Sequence, residues 1–356
     1  MHRSLVFAAS HFEALVPVAQ QAAASGFHRI WTTESTGRDA TVRAVALASA
    51  APTLHVGTGI AYAFTRPPLA AAAMAADAYR ATGGRFTFGI GAGTRGLRRR
   101  YAVSWEHPAP QFAEYARLLR QAVSPDGGRS FDGRFYTADL SDFLPVEDRE
   151  RLRGLEIYGS GVNQIMLHHC AASCDGVAVH SLATAPGYFE DVVVPALRKG
   201  AEVAGAPPKV ACWVVAGVAA DREEARLGVR RQLAFYFSTP SYRTVAEHAG
   251  WGSAAERIRQ KAAEVDYRDW DPVADLVTDE MVDTLSISGT PAEITEQLAR
   301  SEERLGRHGV DELALQMVGV ADTADRVTEM GNALVRHCAP GAIGTPRGVT
   351  TRPEPR

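Results

Sequence analysis

The sequence predicts an α/β fold, a (β/α)8 TIM barrel with insertions near residues 124–154 and 238–288. Three observations predict it. Strand-like and helix-like segments alternate through short links in about eight units, the pattern of parallel strands with crossover helices and the number that closes a barrel. The 356 residues exceed one minimal domain but suit an α/β barrel with insertions. Nothing marks a topological switch between two halves, which places a doubly wound open sheet second.

Ser4–Ala8 reads as the first strand. Phe12–Ser25 reads as an alanine-rich helix ended by Gly26 at the C′ position. His28–Thr33 is the second strand, and the loop Glu34–Arg38 leads to a helix that starts at Asp39 or Thr41 and runs to Ala50. Leu54–Ile60 is the third strand, broken by Gly57 and Gly59, and Pro67 opens the next helix as an N1 proline. The fourth strand is the clearest. Within Arg85–Gly96, Phe86, Phe88 and Ile90 are apolar at period two, and Gly83-Gly84 punctuates the start. The stretch ends in glycines, so backbone N–H groups can approach a ligand with no Cβ in the way.

A helix covers Pro110–Val123, and the polar residues 124–154 read as an excursion beside the site. Leu155–Tyr158 is a strand ending at Gly159-Ser160-Gly161, with a helix from Val162. Asp175–Val179 is a strand, a helix lies within Gly187–Val203, and Val210–Val218 is a long apolar strand. Helix 221–237 opens with the capping-box-like Asp221-x-x-Glu224. Residues 238–288 break the rhythm and read as a helical insertion. Pro291–Leu305 is a helix, Glu312–Met317 the last strand and Ala321–His337 the closing helix. Residues 1–338 thus form one barrel domain, and the aperiodic residues 339–356 read as a disordered tail.

Composition excludes several classes. Hydrophobic residues make up 46% and charged residues 22%, as in a soluble protein with a large core. A net charge of −3 argues against a nucleic-acid footprint. Leu5–Ala9 is too short for the apolar core of a signal peptide, and Ala71–Ala76 falls short of the about 20 apolar residues that span a bilayer. Four cysteines in a chain of this size point to a reducing compartment and a cytoplasmic location. His168-His169-Cys170-x-x-x-Cys174 has metal-like spacing, but on a helix both cysteines share one face and pack in the core, so no metal site is expected.

Gly91-x-Gly93-x-x-Gly96 matches the dinucleotide fingerprint, but it follows several strand–helix units and precedes Leu97-Arg98-Arg99-Arg100. A glycine-lined turn at a barrel strand end fits better. No nucleophile elbow, Walker A loop or His-Glu-x-x-His is present.

In a barrel the active site lies at the C-terminal ends of the strands. That rim carries Ala8-Ala9-Ser10, Thr33-Glu34, Gly59-Ile60-Ala61-Tyr62, Gly91-Ala92-Gly93, Gly159-Ser160-Gly161, His180, Ala216-Gly217 and Gln316-Met317. It holds one acid and one imidazole. Glu34 is a catalytic candidate set against a cap role. His180, without a visible carboxylate partner, is a catalytic candidate set against a structural role. Small side chains suit a flat ring more than a hydrolytic mechanism. Gly159-Ser160-Gly161 is the best phosphate candidate, through free N–H groups at a helix start and a hydroxyl. Trp213, Tyr236, Phe237 and Trp251 line an apolar pocket or belong to the core, the latter being favoured for Trp213.

Taken as a set, Gly26-Phe27, Trp31-Thr-Thr-Glu34, Gly57-Thr-Gly-Ile60, Arg66-Pro-Pro68, Gly84-Arg-Phe86 and Gly89-Ile-Gly91 resemble the luciferase-like monooxygenase superfamily. Trp31–Ala40, Trp105–Ala109 with Glu114-Tyr115, Ser238–Tyr242 and Gly250-Trp251 resemble its branch that uses coenzyme F420. The resemblance covers residues 4–335. It implies a barrel with the cofactor across its C-terminal mouth, bound by Thr33, Gly59, Ile60, Ala61, Gly91, Ala92, Gly93, Gly159, Ser160 and Gly161. It also implies a non-proline cis peptide at Gly59–Ile60 and a phosphate site after the fifth strand. The implied activity is hydride transfer between the deazaflavin and a small organic substrate. An FMN-dependent monooxygenase and a non-catalytic ligand-binding barrel, the latter requiring an occluded mouth, are the alternatives. Two departures stand out: Thr33-Glu34 replaces an Asp-His pair, so no histidine relay carries over, and residues 139–154 differ from the branch. Neither the substrate nor the direction of transfer follows from the sequence, and the oligomeric state is open, a homodimer included.

Overall fold

The computed structural model describes residues 1–8, 11–266, 269–319 and 322–340. Ala9 and Ser10 at the first strand end, Ala321 at the expected start of the closing helix and most of the expected tail lie outside these residues. Eight parallel strands close on themselves: β1 (His2–Phe7), β2 (Arg29–Thr32), β3 (His55–Thr58), β4 (Phe86–Gly91), β5 (Glu156–Gly161), β6 (Gly176–Val179), β7 (Lys209–Val218) and β8 (Glu312–Met317). Each pairs with its sequence neighbours, and β8 pairs with β1 through Glu312↔His2 to Gln316↔Val6. This is the expected (β/α)8 barrel, with every strand overlapping its expected segment.

Helices lie outside the barrel, and their composition fits that place. In Pro68–Ala81 the buried face is Ala71, Ala72, Ala75 and Ala76, which lets the helix axis approach the strands closely. Asp39, Asn163, Asp221 and Thr323 cap their helices by accepting from backbone N–H groups in the first turn. Residues 187–204 form a wide π turn, Phe189–Val193, before the helix Val194–Ala204. Pro195 accounts for it, having no N–H to donate back along the helix and a ring that crowds the preceding turn.

Three details depart from the sequence reading. The excursion at 124–154 holds an antiparallel pair, Ser130–Asp132 with Thr137–Asp139, organised by Glu114, which accepts from the N–H groups of Arg134, Phe135 and Tyr136. The insertion at 238–288 is helical as expected but ends in a strand, Ser286–Gly289, that pairs with the outer half of β7. The helix after β5 begins at Gln164, not Val162.

The barrel interior decides where the glycines go. Val6, Trp31, Tyr158, Ala178, Ala211, Trp213 and Ala314 form one buried cluster inside the strands. A Cβ on Gly57 would stand 2.8 Å from the Trp31 ring, one on Gly59 2.6 Å from the Trp213 ring, and one on Gly176 2.4 Å from the Tyr158 ring. The three large rings fill the barrel because the facing strands present no side chain there.

Below this layer lies a charged floor. Trp31 Nε1 donates to Glu312 Oε1 at 2.6 Å, and Arg29 lies 3.5 Å from Glu312 and 3.7 Å from Glu156. His2, His28 and His55 stack beside them, with ring centroids 4.2 and 5.4 Å apart. Burial, then the Arg29 charge, lower the His28 pKa to about 4, and burial followed by Arg29 also lowers that of His55. His28 and His55 are neutral in the fold, whereas in the unfolded chain they titrate near 6.5. Between pH 6.5 and 4 the unfolded chain therefore binds more protons, and the stability present above that window is lost as pH falls through it. The thermal midpoint should drop across this interval, and less steeply in a His28→Phe variant. Equal slopes for the two proteins, read by circular dichroism, would contradict the assignment.

Candidate active site

The mouth is built from the segments that leave the strands. After β3 the chain makes a cis peptide bond between Gly59 and Ile60, the position expected from the resemblance. It then resumes pairing with β4 through Ala61↔Ile90 and Tyr62↔Gly91. The bulge is held from both sides: Gly59 N–H donates to Thr32 O at 2.7 Å and Glu34 N–H to Ile60 O at 3.2 Å. Ile60 turns its side chain toward β4, where a Cβ on Gly91 would meet Cδ1 at 2.4 Å. Ala92 is buried, and Gly93, at φ +67, is exposed in a conformation that favours glycine. Thr33 is tied back to β1, its N–H donating to Phe7 O at 3.3 Å.

Glu34 does not face His180. Its side chain is 2% exposed and pairs with Arg66 at 3.1 Å, and Oε2 accepts from Tyr62 N–H at 3.4 Å. Arg66 also binds Asp39 at 2.6 Å. Burial raises the Glu34 pKa, with the Arg66 hydrogen bond and charge opposing it. Tyr62 folds back and donates its hydroxyl to Glu34 O at 3.0 Å. The acid is thus part of the scaffold that sets the turn after β3.

His180 stands at the end of β6. Nδ1 accepts from Leu182 N–H at 3.2 Å, and Nε2 lies 3.1 Å from the Tyr242 hydroxyl. The imidazole stacks on Tyr242 at 4.6 Å and meets the edge of Tyr236 at 4.7 Å. Burial lowers its pKa to about 3, so it is neutral. With Nδ1 accepting, its one hydrogen sits on Nε2 and is donated to the Tyr242 oxygen. The partner that the sequence did not show is therefore a phenol. Tyr236 in turn is engaged by Gln316, which also accepts from Ser181 Oγ at 3.3 Å.

Gly159 and Gly161 differ from their expected use. Both lie within β5 and point outward: a Cβ on Gly159 would stand 2.7 Å from Cys170 Cβ, and one on Gly161 2.8 Å from Met166 Cγ. They let the helix Gln164–Ser173 lie against the sheet, and Cys170 and Cys174 pack there as expected. A Gly159→Asp change would disturb that packing before it repelled any ligand. Ser160 points inward and donates to Ala178 O at 2.7 Å. The free N–H groups of the helix start lie one turn further on, at Gln164 and Ile165 beside the Asn163 cap. Phe237 and Trp251 are buried and meet edge to face at 6.4 Å, and Trp213 is interior as expected. No group of three or more metal-ligating side chains occurs among the described residues.

Tyr62, Arg66 and Tyr242 are site residues to which the sequence reading gives no role: Tyr62 is named only as part of the rim, and Arg66 and Tyr242 only within the motifs of the resemblance. The contact of Tyr242 with His180 spans 62 residues and leaves no local signal.

Residues 2–308 match the family model described as luciferase-like monooxygenase. The chain belongs to this family. Among curated luciferase-like relatives, an uncharacterized protein of Mycobacterium tuberculosis is 29% identical over 275 residues, covering 74% of this chain and 79% of its own. A 5,10-methylenetetrahydromethanopterin reductase of Archaeoglobus fulgidus is 27% identical over 279 residues, covering 77% and 81%. The solved coenzyme F420-dependent tetrahydromethanopterin reductase of Methanopyrus kandleri superposes with a TM-score of 0.76 at 20% identity, covering 95% of this chain and 99% of that one. At that identity the likeness shows the shared barrel.

Proposed function

We propose that this luciferase-like chain is an oxidoreductase that binds coenzyme F420 across the barrel mouth and transfers a hydride between it and a small organic substrate. The observation that carries this reading is the chemistry of the rim. Its acid is locked to Arg66, its imidazole is neutral and hydrogen-bonded, and its remaining groups are small side chains, phenols and amides. Such residues bind, orient and hydrogen-bond, and leave the redox step to a cofactor. The reductases among the relatives support the deazaflavin. The family's description as monooxygenases supports FMN as the second reading, which also extends to oxygen as co-substrate.

The residues present fit a planar ring with an anionic tail. Ile60, at the cis bulge, would back the ring, with Thr33, Ala61, Ala92 and Gly93 along its edges. Gly59 and Gly91 serve it indirectly, by admitting the Trp213 ring and the Ile60 side chain. The N–H groups of Gln164 and Ile165, beside Ser160, would hold the phosphate. When bound, the deazaflavin supplies hydride transfer. Glu34 and Arg66 fix Tyr62 and the turn, and His180 fixes Tyr242.

Absorbance and fluorescence titrations with F420 and FMN test this directly. F420 should bind more tightly than FMN, with no oxygen consumed by the reduced complex. Tight FMN binding with oxygen uptake would establish the second reading instead. A Ser160→Asp variant puts a carboxylate into the mouth while its backbone stays in the β5 ladder. It should weaken F420 binding at least about tenfold by charge repulsion with the phosphate. Unchanged affinity would move the tail elsewhere.

A further inference from the structure

The phenols at the mouth are not equivalent. Tyr62 spends its hydrogen on Glu34 O, Tyr101 donates to Ser35 O at 3.1 Å, and Tyr236 is engaged by Gln316, Ser181 and Gln232. Tyr242 differs. It receives the Nε2–H of His180 on its oxygen, so its own hydrogen must point elsewhere, and nothing among the described residues accepts it. The residue comes from the insertion, yet its ring stacks on His180 at the end of β6 and lies 5.6 Å from that of Tyr236, which binds Gln316 at the end of β8, so it sits over the C-terminal end of the barrel. Burial holds the phenol well above its ordinary pKa, so it keeps its proton at neutral pH. A hydroxyl with an unassigned hydrogen on a half-buried ring, held from behind by a neutral imidazole, is a preset donor.

We propose that the Tyr242 hydroxyl donates to an oxygen of the substrate, so that the substrate pair is a carbonyl compound and its alcohol. This rests on the reading of the mouth as a hydride-transfer site and narrows it. In the reducing direction a hydride from a reduced deazaflavin forms the new C–H bond at the carbonyl carbon. The C=O π pair moves to oxygen, the Tyr242 proton forms the O–H bond, and Tyr242 regains a proton from solvent. A substrate reduced at a cationic C=N carbon needs no such proton, which is why the donor points to an oxygen substrate. His180 is a positioning residue that acts through Tyr242.

The test uses the full chain and isobutyramide, an inert carbonyl mimic, as the probe. Its binding is read by the shift in F420 absorbance in the holoprotein and by the ring-carbon shift of labelled tyrosine in the apoprotein. Tyr242→Phe keeps the ring on His180 and removes the hydroxyl. It should weaken isobutyramide binding at least about tenfold and cut the rate of F420H2 oxidation by a ketone at least about a hundredfold, with F420 affinity unchanged. His180→Phe should behave like Tyr242→Phe, while His180→Gln, which offers an N–H to the same oxygen, should restore most of the probe binding. The nitrogen shifts of His180 should place its proton on Nε2. Equal probe binding and rates in wild type and Tyr242→Phe, or no probe binding to the wild type, would overturn the proposal. Failure of F420 to bind would overturn the cofactor reading alone, because the apoprotein measurement still reports on Tyr242.

Discussion

Gly89→Ala is expected to destabilise the protein by about 3 kcal/mol or more, a large effect for one methyl group. Gly89 lies in the middle of β4, paired with Tyr158 of β5, and faces the barrel interior. A Cβ there would stand 2.0 Å from Thr58 O, 3.2 Å from Thr58 C and 3.3 Å from the Trp31 ring. The nearest obstacle is backbone, which cannot swing aside as a side chain can. Thr58 is fixed in turn, since its Oγ1 donates to Gly89 O at 2.7 Å, and the Gly59–Ile60 bond that follows Gly59 opens the bulge that forms the mouth. The strain would therefore reach both the core and the site. Gly96→Ala is the matched control, because the nearest atom to its Cβ is Thr94 Oγ1 at 3.8 Å. Urea denaturation should show a large loss for the first and a change within about 0.5 kcal/mol for the second. Equal midpoints would mean that β3 and β4 do not approach as closely as described.

Arg66→Met should cost a similar amount for a different reason. Glu34 is 2% exposed at its side chain, and Arg66 supplies its charged partner at 3.1 Å. Removing one member of a buried ion pair leaves the other charge uncompensated, at a typical cost of about 3–5 kcal/mol. Burial would then raise the Glu34 pKa further, since the opposing Arg66 contributions vanish. A folded pKa raised above the unfolded value gives stability that is present at low pH and lost as pH rises, so the loss relative to the wild type should be smaller at pH 5 than at pH 8. Adding Glu34→Gln should recover much of the loss. A single variant as stable as the wild type, with no pH dependence of its own, would show that the pair is not buried as described.

Much of the barrel was legible because parallel strands buried on both faces leave continuous apolar runs, and short links forced the βα order. The runs in 85–91 and 210–218 needed no tertiary information. What glycine means was not legible. Gly59 and Gly91 read as space for a ligand ring, yet the immediate occupants are Trp213 and Ile60. Composition reports that space exists but not which neighbour fills it. Gly159-Ser160-Gly161 shows the same ambiguity, since a strand that packs closely on a helix and a turn that cradles phosphate both call for small residues. The polar half of the site was hidden by distance along the chain. Glu34 meets Arg66 across the ends of the paired strands β2 and β3, and His180 meets Tyr242 because the insertion returns to the end of β6.

The central claim is that the C-terminal mouth holds a planar redox ring. A crystal structure of the protein soaked with F420 tests it most directly. The deazaflavin should lie against Ile60, with its phosphate near Ser160 and the start of helix Gln164–Ser173. Ring density outside the barrel mouth, or a mouth still filled by protein side chains at saturating F420, would contradict the account.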